Sequence, residues 1–183
     1  MNVVLIGMKH CGKSTVGRGL ADRWGCPFHD VDPMIEATAA CETGEGLSVR
    51  DLLDRHGEER FHQVEGMVIC ELYLKLNRPD STAVVALGGR TALNPKIGDL
   101  LNGIGLKIFI ETAFEELWAR VQRSGVPPFL DPQDPKRDFL ATCRQRQQAY
   151  ERQADLRLNL GGLDPASAVD LVAHRIEEHT RGG

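Results

Sequence analysis

The chain has 183 residues, 42% apolar and 26% charged, with 22 Lys and Arg against 26 Asp and Glu for a formal net charge of −4. That length suits a single domain over residues 1–183 with a three-layer core; the acidic balance argues against a nucleic-acid surface, which needs excess Lys and Arg; and no window approaches the roughly 18 apolar residues of a membrane span. Cys11, Cys26, Cys41, Cys70 and Cys143 are scattered and form no C-x-x-C pair, which reads as reduced thiols in a cytoplasmic protein, and no secretory segment is expected ahead of the first strand.

Asn2-Val3-Val4-Leu5-Ile6 is a short apolar run of the buried-strand type. Gly7-Met8-Lys9-His10-Cys11-Gly12-Lys13-Ser14 follows and matches G-x-x-x-x-G-K-[ST], a loop whose backbone N–H groups wrap nucleotide phosphates. From Lys13 to Trp24, Val16 and Leu20 stand at helical spacing. Strand, loop and helix together make the motif workable, because the helix N-terminus turns its partial positive charge toward the anion. Lys13 is expected to reach the β- and γ-phosphates of ATP, with the Ser14 hydroxyl on Mg²⁺. Gly7, His10, Cys11, Gly12, Lys13, Ser14 and Thr15 are the expected nucleotide-binding positions, His10 facing solvent and Cys11 acting as a small filler rather than a nucleophile.

Cys26 to Asp30 reads as a second strand, ending at Asp30-Val31-Asp32. A spacing of two in an extended segment points both carboxylates the same way. Such a pair suits phosphoryl transfer, which needs one carboxylate near the metal and one orienting the attacking hydroxyl; the alternative is that Asp32 merely caps the next helix ahead of Pro33. A helix is expected over 31–40. Ser48 caps another through His56, and after Gly57 a long helix over 58–76 places Phe61, Val64, Val68 and Leu72 on one face. Residues 81–87 form a third strand halted by Gly88-Gly89, 106–110 a fourth, and a helix spans 113–123. Four prolines and a glycine between Ser124 and Pro135 predict an exposed loop of restricted conformation. A polar helix over 136–152, a fifth strand at 156–160 and a final helix opened by Asp164-Pro165 complete the chain. Apolar strands alternating with helices mean a doubly wound α/β fold, a parallel sheet covered on both faces. Ligands in such sheets bind beyond the carboxyl ends of the strands, so chemistry is expected just after residues 6, 30, 87, 110 and 160.

Gly12-Lys13-Ser14-Thr15-Val16-Gly17, Asp30-Val31-Asp32, Glu58-Glu59-Arg60-Phe61, Leu87-Gly88-Gly89 and Arg146 through Tyr150 occur in this order, and over nearly the whole chain the sequence resembles the shikimate kinases. The resemblance implies five parallel strands ordered 2-3-1-4-5. It also implies transfer of the ATP γ-phosphate to the 3-hydroxyl of shikimate with Mg²⁺, a step of aromatic amino acid biosynthesis. By the same resemblance Lys13 and Ser14 serve ATP and Mg²⁺, and Asp30 supports the metal. Asp32 holds the acceptor hydroxyl and is catalytic with Lys13; Gly88 and Gly89 line the substrate pocket; Arg146 binds the substrate carboxylate. Helices over about 31–77 enclose the substrate, a lid lies at about 124–135, and the partner is a small molecule bound by a monomer.

Three positions depart from the family pattern. His62 replaces a carboxylate-binding arginine, and an imidazole is charged only below about pH 6.5 when unperturbed. Arg90 replaces a third glycine. The lid reads Pro127-Pro128-Phe129-Leu130 where an arginine normally precedes one proline, leaving Arg123, with Arg120, as the nearest cations for the transferring phosphoryl. Either Arg90 restores the lost guanidinium from the opposite wall and the substrate stays shikimate, or the pocket accepts another small carboxylated polyol, such as a sugar acid. A nucleotide-binding regulatory protein with weakened catalysis is the alternative from another class. His62 is expected to contact the substrate carboxylate, or else to be held locally by Glu65 on the same helix face.

Overall fold

The computed structural model describes residues 1–94 and 96–181. Val3–Ile6 (β1) is buried at all four positions, as a strand covered on both faces must be. Around it the chain builds Lys13–Trp24 (α1), Phe28–Asp30 (β2), Val31–Thr43 (α2), Val49–Leu76 (α3), Val84–Ala86 (β3), Gly98–Ile104 (α4), Leu106–Glu111 (β4), Phe114–Ser124 (α5), Pro135–Gln153 (α6), Leu156–Asn159 (β5) and Pro165–Arg181 (α7). The strands form one sheet in the order β2-β3-β1-β4-β5. Every pairing is parallel, with Leu5 opposite Ala86 on one side and Ile108 on the other. This is the expected doubly wound α/β sheet, order 2-3-1-4-5.

Helix α1 lies close on the sheet because Gly17 carries no side chain: a Cβ there would run into the Phe28 ring and Leu5. Ser48 caps α3 reciprocally, its Oγ accepting from the Asp51 N–H at 3.1 Å while the Asp51 carboxylate accepts from the Ser48 N–H. The expected break at Gly57 is present, with φ 79° and ψ 174° interrupting α3. Beyond it Phe61, Val64, Val68 and Leu72 are buried along one face, as the spacing predicts. The spacing of residues 88–105 does not predict helix α4 or the short 3-10 turn at Thr91–Leu93. The proline-dense connection covers residues 125–134, since α5 runs through Ser124 and α6 begins at Pro135.

One local expectation is corrected. β2 passes directly into α2, so Asp30 is the extended residue at the helix start and Asp32 already belongs to the first helical turn. The two carboxylates therefore do not alternate along a strand. Asp32 is not the helix cap either, and Asp30 at that position makes no side-chain capping bond.

Candidate active site

The phosphate loop runs from the end of β1 to the start of α1. Two glycines give it its shape. Gly7 has φ 145°, and a Cβ there would stand 2.7 Å from the Ile110 carbonyl; Gly12, at the helix start, has φ 102°. Lys13 is buried, and its Nζ donates to the loop's own carbonyls at Gly7 (2.9 Å) and Met8 (2.8 Å), with Cys11 Sγ at 3.7 Å. The ammonium thus lies across the loop, its three donors directed at the loop's own atoms. Cys11 is a buried, free thiol beneath it, as expected of a filler.

A cavity of about 660 Å³ opens above this loop. Lys13, Ser14, Asp30 and Asp32 all line it, together with Arg120 and Arg123 from α5. Ser14 and Asp30 offer a hydroxyl and a carboxylate on one wall, the hard oxygen donors that suit Mg²⁺, an ion that keeps several of its waters. The sequence places Arg123 at the nucleotide; the structure brings both Arg120 and Arg123 to this cavity, Arg120 with contacts to the phosphate loop. The Arg120 guanidinium donates to the His10 carbonyl at 2.7 Å and pairs with Glu116, whereas among the described residues Arg123 donates only to Ala119 of its own helix. No spacing argument distinguishes the two, because both lie on the last turns of one helix.

A second cavity, of about 610 Å³, adjoins the first. Lys9, His10, Asp32, Gly89 and Ser124 line both, so the carboxylate of Asp32 stands at their junction. Burial raises its pKa above the ordinary carboxylate value, Lys13 opposes that shift, and Asp30 adds to it. A carboxylate made more basic in this way is a better proton acceptor at neutral pH. Gly88 makes room for it: a Cβ there would overlap the Asp32 carboxylate. At Gly89 a Cβ would stand 3.0 Å from the backbone N of Lys9, which keeps the β3 end close to the phosphate loop.

The second cavity is also lined by Arg146 and Arg90. Burial, with Arg90 adding to it, pulls the Arg146 guanidinium below its usual pKa, and its Nη1 reaches toward the Gly89 carbonyl at 3.5 Å. That carbonyl also accepts from the buried Tyr150 hydroxyl at 2.5 Å. Arg90 stands on the cavity wall but pairs with the exposed Glu58. His62 is not among the residues lining either cavity; it sits beside Phe61, ring centroids 5.7 Å apart. The contrast follows from helix geometry: Phe61 faces the cavity, and the next residue on α3 is turned about 100° away. Sequence inspection missed Lys9, Glu36 and Arg50, which also line the second cavity. From the loop, Pro127 and Phe129 close its outer side, Phe129 being 65% exposed.

A family model described as shikimate kinase matches residues 9–177. A shikimate kinase of Geobacter sulfurreducens is 33% identical over 178 residues, which is 97% of this chain and 92% of that relative. Among solved structures, shikimate kinase from Aquifex aeolicus superposes with a TM-score of 0.73 at 25% identity over the whole of both chains. Shikimate kinase from Acinetobacter baumannii in complex with shikimate gives a TM-score of 0.78 at 24% identity, covering 99% of this chain and 93% of that one, a likeness of fold.

Proposed function

The chain belongs to the shikimate kinase family, and from that premise we propose that it phosphorylates the 3-hydroxyl of shikimate with ATP, giving shikimate 3-phosphate and ADP. The observation that carries this reading is a pair of adjoining cavities with Asp32 on the lining of both. Lys13, Ser14 and Asp32 line the first cavity, and Asp32 also lines the second together with Arg146. An acceptor held by its carboxylate at Arg146 presents a ring hydroxyl to Asp32, across from the phosphate loop.

In the transfer, the acceptor oxygen bonds to the γ-phosphorus as the bond to the β,γ-bridging oxygen breaks, and Asp32 takes the hydroxyl proton. Lys13 leaves the carbonyls of Gly7 and Met8 for the phosphate oxygens, trading neutral acceptors for charged ones. Ser14 and Asp30 would hold Mg²⁺, which would supply charge neutralisation for the transferring phosphoryl group. Arg120 supplies a guanidinium from α5, and the segment 125–134 closes the outer side of the acceptor cavity against water. All of these groups come from one chain, so a monomer suffices, and the five free thiols fit a reducing cytoplasm.

A second reading, a kinase of another small polyol acid such as a sugar acid, draws on His62 lying off the cavity and Arg90 being engaged by Glu58. The regulatory reading fits less well, because Lys13, Ser14, Asp30 and Asp32 share one wall. The test is ADP release with Mg-ATP against shikimate, quinate, gluconate and simple polyols. Stimulation by shikimate alone is expected; stimulation by gluconate instead, or by none of the panel, would overturn the proposal.

A further inference from the structure

His10 is the one described residue other than glycine with a positive φ, at 70°. A left-handed conformation is uncommon for a residue that carries a side chain, and such outliers concentrate at functional sites. The turn has two local consequences. It aims the His10 carbonyl at Arg120 Nη1, which donates to it at 2.7 Å, and it places the ring on the wall shared by the two cavities. There the ring Nε2 stands 3.4 Å from the hydroxyl of Ser124, the last residue of α5 and the foot of the proline-dense segment. Ser124 Oγ donates its own proton to the Val121 carbonyl at 3.2 Å, which leaves its lone pairs to accept from Nε2–H. In that tautomer Nδ1 has no hydrogen-bond partner among the described residues and is free to take up a proton.

We propose that the His10 side chain is a ligand of the terminal phosphoryl group of ATP, binding it as an imidazolium and standing in for the cation that Pro127 denies the lid. The inference rests on the ATP reading above and concerns the charge that this loop adds to it. The charged groups that share the first cavity with the ring are Lys9 and Lys13 from its own segment, Asp30 from β2, Asp32 from α2, and Arg120 and Arg123 from α5; Glu36, Arg50, Asp54, Arg90 and Arg146 share the second. Burial first, then Lys9, Lys13 and Arg120, push the ring's pKa below its ordinary value and favour the neutral imidazole. A triphosphate reverses the sign of the local field, and the ring gains a proton as the anion enters. The loop thereby avoids stacking another permanent cation beside Lys9, Lys13 and Arg120 when it is empty. The sign of the pH effect follows: triphosphate affinity rises as pH falls through the bound-state pKa and levels off below the lower free-state pKa.

The test compares wild type with His10→Asn, which tolerates the left-handed backbone without a titratable ring, and His10→Gly, which relieves that backbone. Binding of the magnesium complexes of ADP and of the β,γ-imido analogue of ATP is measured by calorimetry from pH 5.5 to 8 in buffers of different ionisation enthalpy. The His10 ring proton shifts are followed by NMR with and without the analogue. Wild type is expected to take up a proton on binding the triphosphate analogue and to gain severalfold in affinity from pH 8 to 6. It should do so less with ADP, and both variants should lose the difference; titration of the analogue itself cancels in the comparison. Equal proton uptake by His10→Asn, or a His10 resonance whose pKa the analogue leaves in place, would overturn the assignment while leaving the kinase reading intact. Failure of wild type to bind either nucleotide would overturn both.

Discussion

At the scale of single residues, two positions decide whether the acceptor cavity works as a carboxylate site facing a base. Arg90 lines it beside Arg146 but is held by Glu58, and both members of that pair are partly exposed. A surface ion pair of this kind contributes little, about 0–1 kcal/mol, so a bound carboxylate can take Arg90 over cheaply. A charge-assisted hydrogen bond is worth about 1.5–3 kcal/mol. Arg90→Ala should therefore raise the KM for shikimate by roughly 10- to 100-fold with little change in the KM for ATP. Steady-state kinetics with each substrate varied in turn checks this, and an unchanged shikimate KM would remove Arg90 from recognition. Gly88 acts differently, since a Cβ there would occupy the place of the Asp32 carboxylate. Gly88→Ala should lower kcat about 10²-fold or more, within the range for displacing a catalytic acid or base, while nucleotide affinity by calorimetry stays near wild type.

At the scale of elements, the connection between α5 and α6 is where family resemblance and structure differ most in consequence. Leu130 is buried and anchors the segment, its N–H donating to the Pro127 carbonyl at 3.2 Å, while Phe129 projects over the acceptor cavity. Prolines at 127, 128, 132 and 135 restrict the backbone on both sides of that ring. The element is thus built to present an apolar cover rather than a cation. Phe129→Ala should raise the shikimate KM severalfold and increase wasteful ATP hydrolysis without acceptor. Because the ring is largely exposed, it should leave stability within about 0.5 kcal/mol of wild type. A thermal melt beside an ADP-release assay without acceptor separates the two effects; unchanged hydrolysis and KM would mean that Phe129 covers nothing.

For the molecule as a whole, most of the fold was legible because apolar runs and glycine stops report directly on buried parallel strands. The phosphate loop was legible because its backbone requirements dictate its residues. What escaped was set by helix phase and three-dimensional neighbours. Asp32 shares a cavity with Asp30 by standing in a helix rather than a strand, and His62 misses the cavity by one residue of rotation. Glu65 belongs to this class: sequence offered it as a holder of His62, but the structure buries it fully, with one oxygen accepting from Asn94 at 2.8 Å and Oε1 without a hydrogen bond. Burial is the largest cause raising its pKa above the usual value; Asn94 opposes that shift, as does His62 more weakly. A carboxyl whose folded-state pKa is raised stabilises the fold most fully below its unfolded value, about 4.3, and loses that contribution as pH rises through the folded-state value. Glu65→Gln keeps the amide oxygen as acceptor for Asn94 and removes the titration. Its melting temperature relative to wild type should therefore climb between about pH 4.5 and pH 8, each kcal/mol appearing as roughly 2–4 °C. The other carboxylates titrate alike in both proteins, so their effects cancel in the difference. A difference in melting temperature that stays flat across that range would show that Glu65 ionises in the folded protein as readily as in the unfolded chain.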